Sequence, residues 1–242
     1  MRINQKLAAA GASTLLVVGL GACTGDGGDA GPTQRELTAA ERLAAAKSTL
    51  DAASSVRLKL TSADVPKNAS GVVAAEGVGA HPPAFKGTFK VSLSGIQADA
   101  EVTSVDGEVW AKLPLVPGTN KIDPKTFNIP DPAMLFSTDQ GLTNLLPATQ
   151  DPTMGEQTRK GAEVLTTVKG TLPGSAVVDL FLIGDRSGTF DATYALTGTN
   201  ELREVSLVGP FFGTGTKSTY NLALDQYNQP VTITKPGTST KP

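Results

Sequence analysis

The chain of 242 residues has little of what most catalytic sites need: one cysteine, Cys23, one histidine, His81, and one tryptophan. A single cysteine excludes an internal disulfide, and a chain of this length buries an adequate core without one. One histidine and one cysteine cannot build a His- or Cys-rich metal site. No G-x-S-x-G elbow is present. The run Gly213-Thr214-Gly215-Thr216 lacks the lysine spacing of a phosphate-binding loop. His81 precedes Pro82 and Pro83 and is expected in an exposed turn. Asp131, Asp139 and Asp151 lie near one another in sequence, and a carboxylate pair is conceivable. The Asp131-Pro132 and Asp151-Pro152 steps favour helix caps and turns instead. No catalytic residue and no cofactor is therefore assigned. Charge of one sign is also missing. With 21 basic and 23 acidic residues, the balance argues against a nucleic-acid partner.

What is present begins at the N-terminus. Arg2 and Lys6 precede an apolar, small-residue run at 7–21, a signal-peptide pattern. That run is shorter than the roughly 20 residues a membrane-spanning helix needs. Residues 24–33 are rich in Gly, Asp, Pro and Thr, a tether composition. Between them, Leu20-Gly21-Ala22-Cys23 resembles the lipobox of bacterial lipoproteins, which implies cleavage before Cys23 and acylation of its thiol. Two or three acyl chains meet the requirement for stable anchoring. The rival reading of an odd cysteine is a free thiol awaiting an intermolecular disulfide. The expected organisation is a signal peptide (1–22), a tether (23–34), one domain (35–236) and a disordered tail (237–242). The expected location is the outer face of the cell membrane, held by lipidated Cys23.

Thr33-Gln34-Arg35-Glu36 reads as a capping box, and apolar residues at helical spacing predict an amphipathic helix over about 32–53. From Ser55 the period falls to two. Val56, Leu58 and Leu60 alternate with Arg57, Lys59 and Thr61, and 85–93, 96–102 and 109–113 continue the pattern. Such alternation predicts half-buried antiparallel strands, with Trp110 on the face opposite Val109 and Ala111. Asp106-Gly107 between two alternating runs predicts a type I′ hairpin. Residues 113–152 hold seven prolines and the stretch DPAMLFSTDQGLTNLLP, which predicts one or two short helices from Asp131-Pro132. Too many of its residues are apolar for a solvated loop. Strands are expected at 164–172, 189–196, 202–208 and 219–225, a short helix or strand at 175–183, and a closing hairpin strand at 230–235.

This order of elements, with VDGEVWAKL at 105–113, DPAMLFSTDQGLTNLL at 131–146 and QPVTITKP at 229–236, resembles the mycobacterial and actinobacterial LppX/LprA/LprF/LprG lipoprotein family. The chain departs from the family pattern at Tyr227-Asn228, where a Trp-Gly is usual, and at the Gly198-Thr199-Asn200 turn. The resemblance implies an α+β fold: a strongly curved antiparallel half-barrel sheet with helices on its concave side, enclosing a hydrophobic cavity. It implies a lipid or glycolipid ligand, carried between membranes, and a membrane lipid transporter as a further partner. The inward positions expected to line the cavity are Val56, Leu58, Phe89, Val91, Ala98, Ala100, Val102, Val109 and Ala111, with Met134, Leu142 and Leu145 beside them. Small inward residues such as Gly87, Ala98 and Ala100 would leave room for the ligand. The alternative is a structural or adhesive surface lipoprotein with a filled core.

Overall fold

A computed structural model describes residues 35–93, 95–127 and 129–237. The signal peptide, Cys23 and the tether to residue 34 lie outside the described residues. Residues 37 onward form one compact unit.

The first element is helix α1, Ala39–Asp51. Its cap is Thr38, not Thr33: the Thr38 backbone N–H donates to Glu41 Oε2 at 2.8 Å, and the Glu41 N–H donates to Thr38 Oγ1 at 3.3 Å. Thr33 and Thr38 both head a T-x-x-E pattern. Only Thr38 stands directly before the buried stripe Ala39, Leu43, Ala46 and Leu50, so packing selects the second.

Eleven strands follow. β1 (Ser55–Ala63), β2 (Gly71–Ala80), β3 (Ala84–Leu93), β4 (Ile96–Val105), β5 (Glu108–Lys112) and β6 (Asn120–Ile122) form one meander. β7 (Gln150–Lys160), β8 (Glu163–Pro173), β9 (Thr189–Leu196), β10 (Leu202–Gly209) and β11 (Ser218–Asp225) form another. β1 pairs with β11, giving one open antiparallel sheet in the order β6-β5-β4-β3-β2-β1-β11-β10-β9-β8-β7. Asp106 (φ 54°) and Gly107 (φ 70°) both have positive φ, as the type I′ turn between β4 and β5 requires.

β6 and β7 are consecutive in the chain yet sit at opposite edges of the sheet. The connection between them holds 3-10 helices Pro124–Phe127, Pro132–Phe136 and Leu142–Asn144, then helix α2, Leu145–Ala148. Asp131 caps the second of these by accepting from the Ala133 N–H at 2.9 Å, and Ser104 Oγ donates to the same carboxylate. A further helix, α3 (Gly174–Phe181), joins β8 to β9. Leu43, Ala46 and Leu50 of α1, Leu145 and Leu146 of α2, and Val177 of α3 share one core with the alternate strand residues Val56, Leu58, Val168, Leu172, Tyr194, Leu196 and Leu224. That defines a covered face of the sheet. The other face carries cross-strand ion pairs such as Arg57–Asp225 (2.6 Å), Lys90–Asp99 (3.1 Å) and Lys112–Glu101 (3.2 Å). These pairs match opposite charges across neighbouring strands.

Among the strands, β2, β6 and β7 are not in the sequence expectation, and one expected strand does not form. β2 is absent from the expectation because GVVAAEGVGA has too little contrast for a period to show. β7 is absent because an exposed edge strand has no apolar face. The expected strand at 230–235 does not form. Both sides of β11 are already paired, by β1 and β10, so no edge is free to receive it. The segment turns at Gln226 (φ 50°) and Asn228 (φ 58°) and continues as an irregular strap. Ser55 Oγ donates to the Gln229 carbonyl at 2.6 Å, and Lys235 Nζ lies 3.0 Å from Glu108 Oε2.

Candidate functional site

The covered face is not uniform. Along β9, β10 and β11, Tyr194, Leu202, Val205, Leu207, Tyr220, Leu222 and Leu224 line a cavity, with Leu60 of β1 completing the floor. Leu50 of α1, Leu142, Leu145 and Leu146 of the connection, and Phe181 of α3 roof it. The cavity volume is only about 30 Å³. The site is therefore a narrow, closed-down slot, wide enough for one or two waters.

Only two side chains in the lining carry a polar atom, and both are engaged. Tyr194 Oη is 2.8 Å from Thr149 Oγ1, which itself donates to the Leu145 carbonyl at 2.9 Å. Tyr220 Oη donates to the Val72 carbonyl at 2.7 Å. Burial pushes both phenols up to about 12, against which the Thr149 hydrogen bond works weakly at Tyr194. Both stay neutral near neutral pH. The lining thus offers neither a free hydrogen-bonding group nor a titrating one. What it can do chemically is bury hydrocarbon.

Of the residues named from sequence, Leu142 and Leu145 line this cavity. Val56 (1% exposed) and Leu58 (5%) lie deeper in the same core. Ala100, Val102, Val109 and Ala111 form a second core with Leu113 and Ile122, and half-buried Phe89 packs against both cores. Val91 and Ala98 are half-buried on β3 and β4. Met134 does not line the cavity. It is 41% exposed, whereas its neighbours Leu135 and Phe136 pack into the main core. In a five-residue 3-10 turn only part of an apolar run can face inward.

The small residues do not leave room either. A Cβ on Gly87 would meet the Phe85 ring at 2.7 Å, and one on Gly77 would meet it at 2.5 Å. The Phe136 ring covers Gly79 in the same way. Glycines on β2 and β3 thus seat two phenylalanine rings, which stack with centroids 6.2 Å apart. The cavity residues that sequence reasoning missed, on β9 to β11, stand in strands that periodicity did find. The available signal was their size: Tyr, Leu and Val at alternate positions.

Fold and cavity together define a class: a lone open antiparallel sheet, roofed on one face by short helices, with a wholly apolar slot between. The LppX_LprAFG lipoprotein family matches residues 38–233, and the chain belongs to that family. LprF from Mycobacterium bovis shares the fold with a TM-score of 0.66 at 15% identity, over 82% of this chain and 96% of that one. The Mycobacterium tuberculosis lipoprotein LppX gives 0.59 at 18% identity, over 81% and 98%. No curated protein matches the chain in sequence. Among the described residues no helix is long and apolar enough to cross a membrane.

Proposed function

We propose that this protein is an exported lipoprotein, tethered to the outer face of the cell membrane through acylated Cys23, that shelters acyl chains of a lipid or glycolipid in transit between membranes. The observation that carries this reading is the slot on β9 to β11. It is apolar throughout, and its two hydroxyls are satisfied by protein. A chain entering it would be driven by about 0.8 kcal/mol per buried methylene, less the ordering cost of association. Its narrow bore describes the closed state. Admitting an acyl chain requires α1, α2 and α3 to lift from the strands, on the concave side of a curved half-barrel. The lining offers hydrocarbon surface, which supports carriage of an apolar chain.

The same narrowness favours a second reading, a surface lipoprotein whose core is simply filled. Lipid extraction and native mass spectrometry of the purified protein separate the two. A carrier yields a lipid-bound mass that collapses to the apoprotein on organic extraction. A filled core yields one protein mass and takes up no fluorescent fatty acid.

A further inference from the structure

The covered face does not end where its roof ends. Along β3, Phe85 is 1% exposed, Val91 is half-buried and Leu93 is 63% exposed. Along β4, in the opposite chain direction, Val102 is 8% exposed, Ala98 is half-buried and Ile96 is 76% exposed. The register between these strands is unbroken, and Leu93 pairs with Ile96. Alternation then places all six side chains on one face. An apolar strip runs out of the core and finishes uncovered at a hairpin tip. Leu115, fully exposed in the β5–β6 loop, leaves the sheet toward the same end.

We propose that this tip is the part of the molecule that touches a lipid bilayer. The contact does not depend on the carrier reading. Three observations select a bilayer as the occupant. The exposed side chains are too few for a stable protein interface, which uses about 20–30 residues a side, yet aliphatic tips of this kind suit an interfacial membrane contact. The strip is continuous with the core through Phe89, which packs against both clusters. The first element, α1, is anchored at the other end of the sheet. There Arg42 donates to the Thr197 carbonyl at 3.0 Å, and the Ala53 carbonyl lies 2.6 Å from His81 Nδ1. The tip is therefore left uncovered by α1.

The test uses the full chain carrying Cys23→Ala, with a single new cysteine bearing an environment-sensitive fluorophore. Ile96→Cys reports the tip, and Thr199→Cys reports the turn at the opposite end. Added to phosphatidylcholine vesicles, the label at 96 is expected to shift to the blue and to be quenched by acyl-chain quenchers, while the label at 199 stays unchanged. Equal responses at both sites, or none at 96, overturn the contact. So does a shift at 96 that follows protein concentration without vesicles, since the occupant would then be a second copy. Leu93→Asp with Ile96→Asp should weaken vesicle binding by at least about tenfold, the equivalent of one lost aliphatic burial. Both residues are exposed, so melting should not change. If 96 inserts but the protein carries no lipid, the contact stands and the carrier reading fails. If lipid is carried and 96 stays in water, the reverse holds.

Discussion

The two meanders solve the same packing problem in opposite ways. On β2 and β3 the covered face is built from Gly77, Gly79 and Gly87, and the space is refilled by the rings of Phe85 and Phe136. On β9 to β11 the face is built from Leu, Val and Tyr, and the helices laid on it leave a slot. Small residues gave a dense half, and large residues a half that keeps a narrow slot. The lesson is that residue size on a sheet does not predict free volume. What matters is whether the covering element can descend into the space, and a ring from the neighbouring pleat or from an irregular segment descends further than a helix can.

The largest expected effect breaks the dense half. Phe85→Ala removes the ring that covers Gly77 and Gly87 and that packs on both Phe136 and Phe89. It should cost about 3–5 kcal/mol in denaturant unfolding. A loss under about 1 kcal/mol would mean that the glycines, not the ring, set the packing there.

A smaller effect sharpens the hollow half. Tyr194→Phe deletes the hydroxyl bonded to Thr149 but leaves Thr149 its bond to the Leu145 carbonyl. The expected cost is about 0.5–1.5 kcal/mol in melting, with unchanged uptake of a fluorescent fatty acid. Reduced uptake would show that the hydroxyl contacts ligand.

The smallest effect concerns the strap that ends beside the dense half. Glu108 is held down at about 2, first by its hydrogen bond to Lys121 and then by that to Lys235. A depressed carboxyl favours the folded arrangement above the ordinary value of 4.5 and loses that contribution as pH falls toward 2. Amide protection around residue 235, taken relative to the intrinsic exchange rate at each pH, should therefore fall across that acid range while the β9–β11 core stays protected. Glu108→Gln should lower it already at neutral pH. Glu108 is only half-buried and both lysines are exposed, so global melting should barely move.

Strand positions were largely legible in sequence because alternation survives wherever one face is wet and the other dry. Thr189–Leu196 is an example, expected and observed with the same limits. The capping pattern was legible as a motif but ambiguous in place, since Thr33 and Thr38 both satisfy it. β2 and β7 were not legible, one for want of contrast and the other for want of an apolar face. The site was legible only at Leu142 and Leu145. Alternation shows which residues face inward. It does not show that β6 and β7 lie at opposite edges, and that topology is what carries the leucine-rich connection across to roof β9 to β11.

The central claim is that acyl chains occupy the slot on β9 to β11 and not the alanine-lined core of β4 and β5. Paired tryptophan substitutions with lipid uptake as the readout test it most directly. Leu222 lines the slot and is only partly buried, so Leu222→Trp fills the space with little strain. Ala100 is 5% exposed within the second core, where added bulk overpacks at a cost of about 1–3 kcal/mol. The account predicts that Leu222→Trp melts near normally and takes up no lipid, while Ala100→Trp melts lower and still takes it up. Unchanged uptake by Leu222→Trp together with lost uptake by folded Ala100→Trp would contradict it.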